Sequence, residues 1–237
     1  MWRRYKYKQL MKKENIVLGI VSKGRLLDNS IKYLRKRNFK ILYDKDKRSL
    51  TGKIRDKNVL VNFLHARQIV DLLSSGIISI GISGLDILKN ESYSKQKNIK
   101  IIKKLNFGKA SIMAAVPVEF VDVNSFADLE EVSEEMRKKN QKLICSSKYT
   151  KLTQDFFIKK NIKNFSINVS HGATEVECKN NISSLIVDVV QSGKTLRSNS
   201  LKTLTDSKIM DTSACLFANK KSLKNKSVLK VLNLLTK

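Results

Sequence analysis

Four short stretches of this sequence carry residue types suited to chemistry: VSKGRLL (21–27), GISGLDIL (81–88), SHGATEVE (170–177) and DVVQSGKTL (188–196). Each falls at the carboxyl end of a predicted strand, where ligands bind in open α/β sheets. The last invites comparison with a nucleoside-triphosphate P-loop, because Gly193, Lys194 and Thr195 match that motif's close. A P-loop needs a glycine five positions before Gly193, and position 188 is an aspartate. What remains is an acidic residue at a strand end followed by a small-residue turn. In VSKGRLL, Lys23 and Arg25 stand at an expected helix start, where cations oppose the helix dipole. Two of them there make physical sense if an anion lies between.

Other chemistries lack their residues. The sequence has no His-Glu-x-x-His helix, no Gly-x-Ser-x-Gly elbow and no Gly-x-Gly-x-x-Gly turn. Its only histidines are His65, with no partner nearby in sequence, and His171, which reads as a structural polar residue. Acid–base catalysis by imidazole therefore has little to draw on. Holding phosphates and stabilising charge fit better.

Alternating apolar runs and helix-period segments position these turns and predict α/β architecture. Strands are expected at 16–21, 39–43, 59–64, 77–82 and 99–105, with helical spacing at Leu26, Leu27, Ile31 and Leu34. Residues 66–75 read as a helix stopped by Gly76. A second unit begins near Gly108: strand 111–116 ended by Pro117, a capping box at Ser125–Asp128 opening a helix to about Lys139, strand 143–146, helix 151–160 and strand 165–169. A loop and helix within HGATEVECKNN lead to a strand at 184–188, then strand-like runs at 200–204 and 208–212, and a helix from Ser213. Val228, Val231, Leu232 and Leu235 mark one face of a last helix. With no repeat and no Pro/Ser/Gly linker, a middle domain inserted into the first is expected. The boundaries read as a basic tail 1–14, a first lobe 15–106 plus 185–237, and a second lobe 107–184.

Composition sets the limits. At 237 residues and 41% apolar content the chain can bury a sizeable core. Its longest apolar runs are too short to span a bilayer, and MWRRYKYKQLMKKEN lacks the apolar centre of a secretory signal, so a cytoplasmic protein without membrane attachment is expected. Cys145, Cys178 and Cys215 match no zinc spacing and read as buried apolar residues. The net charge of +26 could attract polyanions. Its carriers are mostly single lysines on polar faces, with no groove-reading helix or stacking platform, which argues against nucleic acid as the partner.

Together and in this order, the four turns resemble those of the ATP phosphoribosyltransferases, over about residues 15–219. VSKGRLL is similar to the family's Pro-Lys-Gly-Arg-Leu opening, with Ser22 in place of proline. ARQIVDLLSSGIISIGISGLDIL, LNFGKASIMAAVP and KLICSSKYTKLTQDFF resemble its later segments. HGATEVE and IVDVVQSGKTLRSN resemble its diphosphate-sugar region, where an acidic residue often stands at the position of Gln191. Ser22 loosens the first turn, because proline would have fixed φ. Gln191 removes one negative charge near the sugar.

The resemblance implies a two-lobed fold like that of type II periplasmic binding proteins. It also implies transfer of the phosphoribosyl group of phosphoribosyl diphosphate to N1 of ATP with release of pyrophosphate, the first step of histidine biosynthesis. The chain is similar to the short form, which works with a separate subunit resembling histidyl-tRNA synthetase. By this resemblance Ser192, Gly193, Lys194, Thr195 and Leu196 surround the 5′-phosphate and Asp188 accepts the ribose hydroxyls. Lys23 and Arg25 take the pyrophosphate beside Mg²⁺ carried by the substrate phosphates. Arg67, Ser83, Gly84, Asp86, Gly172, Ala173, Thr174 and Glu175 are the nucleotide candidates. The alternative from another class is a non-catalytic two-lobed small-molecule-binding or effector domain, since fold alone does not fix function.

Overall fold

A computed structural model describes residues 16–43, 50–170 and 172–237. The basic tail 1–14 and His171 lie outside the described residues. The chain divides into two compact units: the described residues up to Gly108 together with Ser213–Lys237, and Lys109–Thr212. The second unit is thus inserted within the first along the chain.

The first unit is built on a six-stranded mixed sheet. Its centre is β1 (Ile16–Val21), which pairs in parallel with β3 (Val59–Leu64) and β4 (Ile80–Gly84). These read as near-continuous apolar runs because both sheet faces are covered. Leu18, Ile20, Val61, Ile80 and Ile82 are fully buried. β2 (Thr51–Ile54) adds an antiparallel edge to β3. On the other side β11 (Ala214–Asn219) runs antiparallel between β4 and β5 (Ile99–Lys104). Each parallel strand leads into a helix: α1 (Gly24–Arg35), α2 (Ala66–Ser74) and α3 (Leu85–Lys89), the last followed by a single turn, α4 (Tyr93–Gln96). Gly81 lets α2 pack close to the sheet: a Cβ there would stand 2.7 Å from Ile69 and 2.9 Å from Leu73. The last helix, α9 (Lys226–Thr236), buries Val228, Val231, Leu232 and Leu235, the face expected from sequence.

The second unit has a five-stranded sheet in the order β10-β6-β9-β7-β8. β6 (Ala110–Pro117) leads to α5 (Phe126–Lys138), whose capping box forms: the Ser125 hydroxyl accepts from Asp128 N–H at 3.3 Å and the Asp128 carboxylate from Ser125 N–H at 2.8 Å. β7 (Leu143–Ser147), β8 (Phe165–Val169) and β9 (Leu185–Val190) run parallel, each followed by a helix. These are α6 (Thr150–Lys159), α7 (Thr174–Lys179) and α8 (Lys194–Ser198). Phe126 meets Phe156 and Phe157 edge-on at 5.0 and 5.6 Å between ring centroids, an arrangement aromatic rings favour.

Four expectations are corrected. Residues 39–43 form no strand; Phe39 and Ile41 are buried, and among the described residues the only pairing is a bridge from Leu42 to Lys53. The helix expected from Ser213 is β11, whose six residues are all buried between two strands, where periodicity cannot tell strand from helix. The runs at 200–204 and 208–212 are one strand, β10 (Leu201–Thr212), with register shifts along its pairing to β6. Residues 185–212, assigned to the first lobe, lie in the second unit, because β9 is hydrogen-bonded between β6 and β7 and β10 pairs with β6. Asp188 and the turn after it therefore belong to the inserted unit.

Candidate active site

In the second unit the paired registers of β7 with β8 and with β9 both end at Ser147, opposite Val169 and Val187. One residue further on stand Lys148, Ser170 and Asp188. Asp188 is 5% exposed, unusual burial for a carboxylate without an ionic partner. Its Oδ1 accepts from the Val189 N–H at 2.7 Å, and its Oδ2 lies 3.3 Å from Lys148 Nζ. The Ser147 hydroxyl donates to Val187 O at 2.7 Å and accepts from the Tyr149 N–H at 2.9 Å, fixing the two strand ends together. The carboxylate is therefore held by one neighbour on β9 and one just past the end of β7.

The turn after β9 has an exposed Gln191 and Ser192, then Gly193 at φ 68° and ψ 1°. That is the left-handed region, open to glycine and costly for other residues. Gly193 opens α8 without any side-chain cap, and the first turn holds no acidic residue. The leading N–H groups of a helix have no partner within it and carry its positive end. Leu196 is buried against Ala115, Ile186 and Leu201 and anchors the turn from below. Arg197 braces it: Nη2 donates to Ser192 O at 3.3 Å, and a Cβ on Gly193 would come 3.1 Å from Nη1. Lys194 and Thr195 are exposed. The arrangement can receive an anion on main-chain donors beside a fixed carboxylate.

At the start of α7, Gly172 and Ala173 are exposed and Glu175 is half-buried. Thr174 is turned inward, its hydroxyl donating to Ser170 Oγ at 3.1 Å. Thr174 therefore reaches a ligand only through its backbone.

In the first unit, Lys23 and Arg25 are exposed at the start of α1, which has neither a side-chain cap nor an acidic residue in its first turn. Arg67 is held by the buried Glu91, Nε to Oε1 at 3.1 Å. Lys95 completes this cluster at 2.6 Å from Asp71 and 2.7 Å from Glu91, and those carboxylates raise its pKa. Ser83 is fully buried and donates to Ala66 O at 3.1 Å, so its hydroxyl serves the fold. The Leu85 N–H at the start of α3 is bound to Ser213 O at 3.0 Å. Asp86 is buried and folds back over Gly84, where an added Cβ would lie 2.3 Å from its Oδ1. Of the first-unit nucleotide candidates, Arg67 alone offers an exposed charged group.

Sequence reasoning misses Lys148, Ser147 and Arg197. Lys148 lies in CSSKYT, immediately past a predicted strand, and that position at a strand end is the signal that marks it. The three cysteines are free and buried, and burial pushes each thiol up, as expected of inert packing residues.

The fold first defines a class: a two-lobed α/β protein of the type II periplasmic-binding-protein kind. The substrate-binding protein of an amino acid ABC transporter aligns over 94% of this chain and 92% of its own at TM-score 0.53 and 15% identity. The ATP phosphoribosyl transferase (HisG:HisZ) complex from Thermotoga maritima aligns over 93% and 96% at TM-score 0.71 and 20% identity. The HisG profile, ATP phosphoribosyltransferase, matches residues 65–237. An ATP phosphoribosyltransferase of Mesorhizobium japonicum is 35% identical over 87% of this chain and 90% of its own length. One of Brucella anthropi is 33% identical over 92% and 95%. The chain belongs to the ATP phosphoribosyltransferase family. It is a pentosyltransferase that joins the phosphoribosyl group to N1 of ATP, releasing pyrophosphate in the first step of histidine biosynthesis. The alternative of a non-catalytic binding domain is not favoured. Among the described residues no helix is long and apolar enough to cross a membrane.

Proposed function

We propose that Asp188 and residues 192–196 grip the phosphoribosyl half of phosphoribosyl diphosphate and that Lys23 and Arg25 supply the cations for its diphosphate. One observation carries this reading: a buried, doubly held carboxylate at Asp188 lies five residues before a left-handed glycine that opens an uncapped helix. The main-chain N–H groups of Gly193–Leu196 and the Thr195 hydroxyl receive the 5′-phosphate. Asp188 accepts the ribose hydroxyls. As the bond to pyrophosphate lengthens ahead of the new C–N bond, the sugar becomes cation-like, and a fixed carboxylate nearby stabilises it. A charge-assisted contact of this kind contributes about 1.5–3 kcal/mol. Lys148 compensates the charge of Asp188 and orients it.

Lys23 and Arg25 meet the diphosphate, where negative charge grows as the bond breaks. Bound Mg²⁺ would share that charge. Among the described residues no group of three or more His, Cys, Asp or Glu could hold a metal, and a Mg²⁺ carried by substrate phosphates needs none. Arg67, Gly84, Asp86, Gly172, Ala173 and Glu175 are proposed near ATP, with Ser83 and Thr174 shaping the backbone there. The Thermotoga maritima neighbour is a HisG:HisZ complex, which supports a second kind of subunit as partner. The proposed partner is a regulatory subunit resembling histidyl-tRNA synthetase, in a cytoplasmic hetero-oligomer.

The test is release of pyrophosphate from phosphoribosyl diphosphate, ATP and Mg²⁺, with and without such a subunit. The reading expects release that requires ATP and rises with the subunit. Pyrophosphate release independent of ATP would remove the assigned transfer.

A further inference from the structure

Six cationic side chains surround one cavity of about 640 Å³ in the first unit: Lys32, Arg35, Lys36 and Arg37 from the end of α1, and Lys103 and Lys104 from the end of β5. Tyr33, Leu105 and Phe107 supply its apolar wall, two asparagines complete it, and among the described residues no carboxylate lines it. The volume falls within the range of small-molecule sites.

Two of the six cations have internal roles. Lys103 Nζ donates to Thr236 O at 2.5 Å, at the end of α9. The Arg37 guanidinium lies over the Tyr33 ring, 3.9 Å from its centroid, and Nη1 donates to Tyr33 O at 3.4 Å. Stacking of this kind fixes a guanidinium in place. Arg37 Nε is buried with no hydrogen-bond acceptor among the described residues. The Tyr33 phenol supplies no negative charge, since burial raises its pKa and its O–H donates to Leu235 O. Lys32, Arg35, Lys36 and Lys104 form no ion pair among the described residues. The dipole of α1 accounts for cations in its last turn, Lys32 and Arg35. It does not call for Lys104, which arrives from a strand.

We propose that this cavity is a second anion site, which binds an oligophosphate chain such as that of a nucleoside triphosphate or of inorganic tripolyphosphate. A triphosphate carries roughly four negative charges at neutral pH, the number of cations left unpaired. The concave shape suits a compact anion. Of the two aromatic rings that line it, Tyr33 is covered by Arg37 and Phe107 packs against the hydrophobic core, so a single nucleic-acid strand fits less well.

The full chain is titrated with sodium tripolyphosphate, and separately with ATP, by calorimetry at two salt concentrations. Two tripolyphosphate sites per chain are expected. The triple variant Lys32→Gln, Lys36→Gln, Lys104→Gln is expected to lose one of them by about tenfold or more in affinity, a tenfold change being 1.4 kcal/mol. Its transferase kcat and KM stay within about twofold of the parent, since surface charge changes rarely disturb folding. Gly193→Ala, which disturbs the 188–196 turn, leaves the cavity site intact, so failure of one site is distinguishable from failure of the other. Equal loss of tripolyphosphate and ATP in the triple variant identifies the phosphate chain as the recognised group; a larger loss for ATP than for tripolyphosphate supports a nucleotide as its source. Identical titrations of parent and triple variant overturn the site. So does a short single-stranded RNA whose binding is lost in the triple variant while tripolyphosphate never occupied the cavity.

Discussion

The helices of this protein begin in two different ways. Ser125 and Asp128 close a capping box on α5, and Asn225 accepts from the Ser227 N–H at 2.8 Å to cap α9. The six helices that come after the parallel strands, α1–α3 in the first unit and α6–α8 in the second, have no side-chain cap at all. Capping residues contribute about 1 kcal/mol each, so leaving them out at six strand ends forgoes stability that the sequence supplies elsewhere. An internal group already occupies part of the bare set: Ser213 O takes an α3 donor. The sharpest contrast left is between α1 and α8. Both start without an acid and at a left-handed glycine, Gly24 at φ 76° and Gly193 at φ 68°, but α1 presents exposed, long cations, whereas α8 comes after a carboxylate fixed by two contacts. On the proposed assignment, a diphosphate that must leave meets the long cations of α1, and a sugar phosphate that must stay meets the turn beside the fixed carboxylate.

Removing the fixed carboxylate should produce the largest effect. Asp188→Ala is expected to lower turnover by about ten- to a hundredfold, from the 1.5–3 kcal/mol of a charge-assisted contact, with an unchanged circular dichroism spectrum. Near-normal kinetics would take Asp188 out of the site. Gly193→Ala comes next: forcing a Cβ into the left-handed region costs about 1–2 kcal/mol, and the added atom crowds Arg197. The KM for phosphoribosyl diphosphate should rise by about five- to thirtyfold while that for ATP changes little. Arg25→Lys keeps the charge and loses the planar fork, so a loss of about two- to tenfold in kcat/KM is expected. Unchanged activity there would argue for a simple point charge at α1.

The capped side of the comparison should respond in stability alone. Ser125→Ala is expected to cost about 1 kcal/mol of unfolding free energy in urea, with kcat and KM unaltered. The Asp128 carboxyl sits below its usual range because the Asn124 and Ser125 N–H groups bind its charged form. A lowered folded value means that its contribution is present above the unfolded pKa and disappears as pH falls through the folded one. Stability of the parent, measured across acidic pH, should therefore drop more steeply than that of Asp128→Asn. Parallel profiles would contradict the capping role.

Much of this architecture is legible in the amino-acid sequence. The runs at 16–21 and 59–64 are β1 and β3 because buried parallel strands need near-continuous apolar residues, the alternating run at 165–169 is β8 at a sheet edge, and the capping box announces α5. β2 escapes notice because TGKI, with a glycine and a lysine, has little strand propensity; its pairing to β3 is what makes it a strand. ACLFAN reads as helix because six buried residues carry no period. The candidate site residues divide on the same principle. Asp188 and Gly193 stand in one local turn, so sequence alone can nominate them. The Arg67–Glu91 pair, the burial of the Ser83 hydroxyl and the approach of Lys148 to Asp188 join residues far apart in the chain, which only folding brings together.

A crystal structure of the chain with phosphoribosyl diphosphate bound would test the central claim most directly. The account predicts the ribose hydroxyls within hydrogen-bond distance of the Asp188 carboxylate and the 5′-phosphate on the N–H groups of residues 193–196. A pentose bound elsewhere, with that turn making no contact to it, would contradict the account.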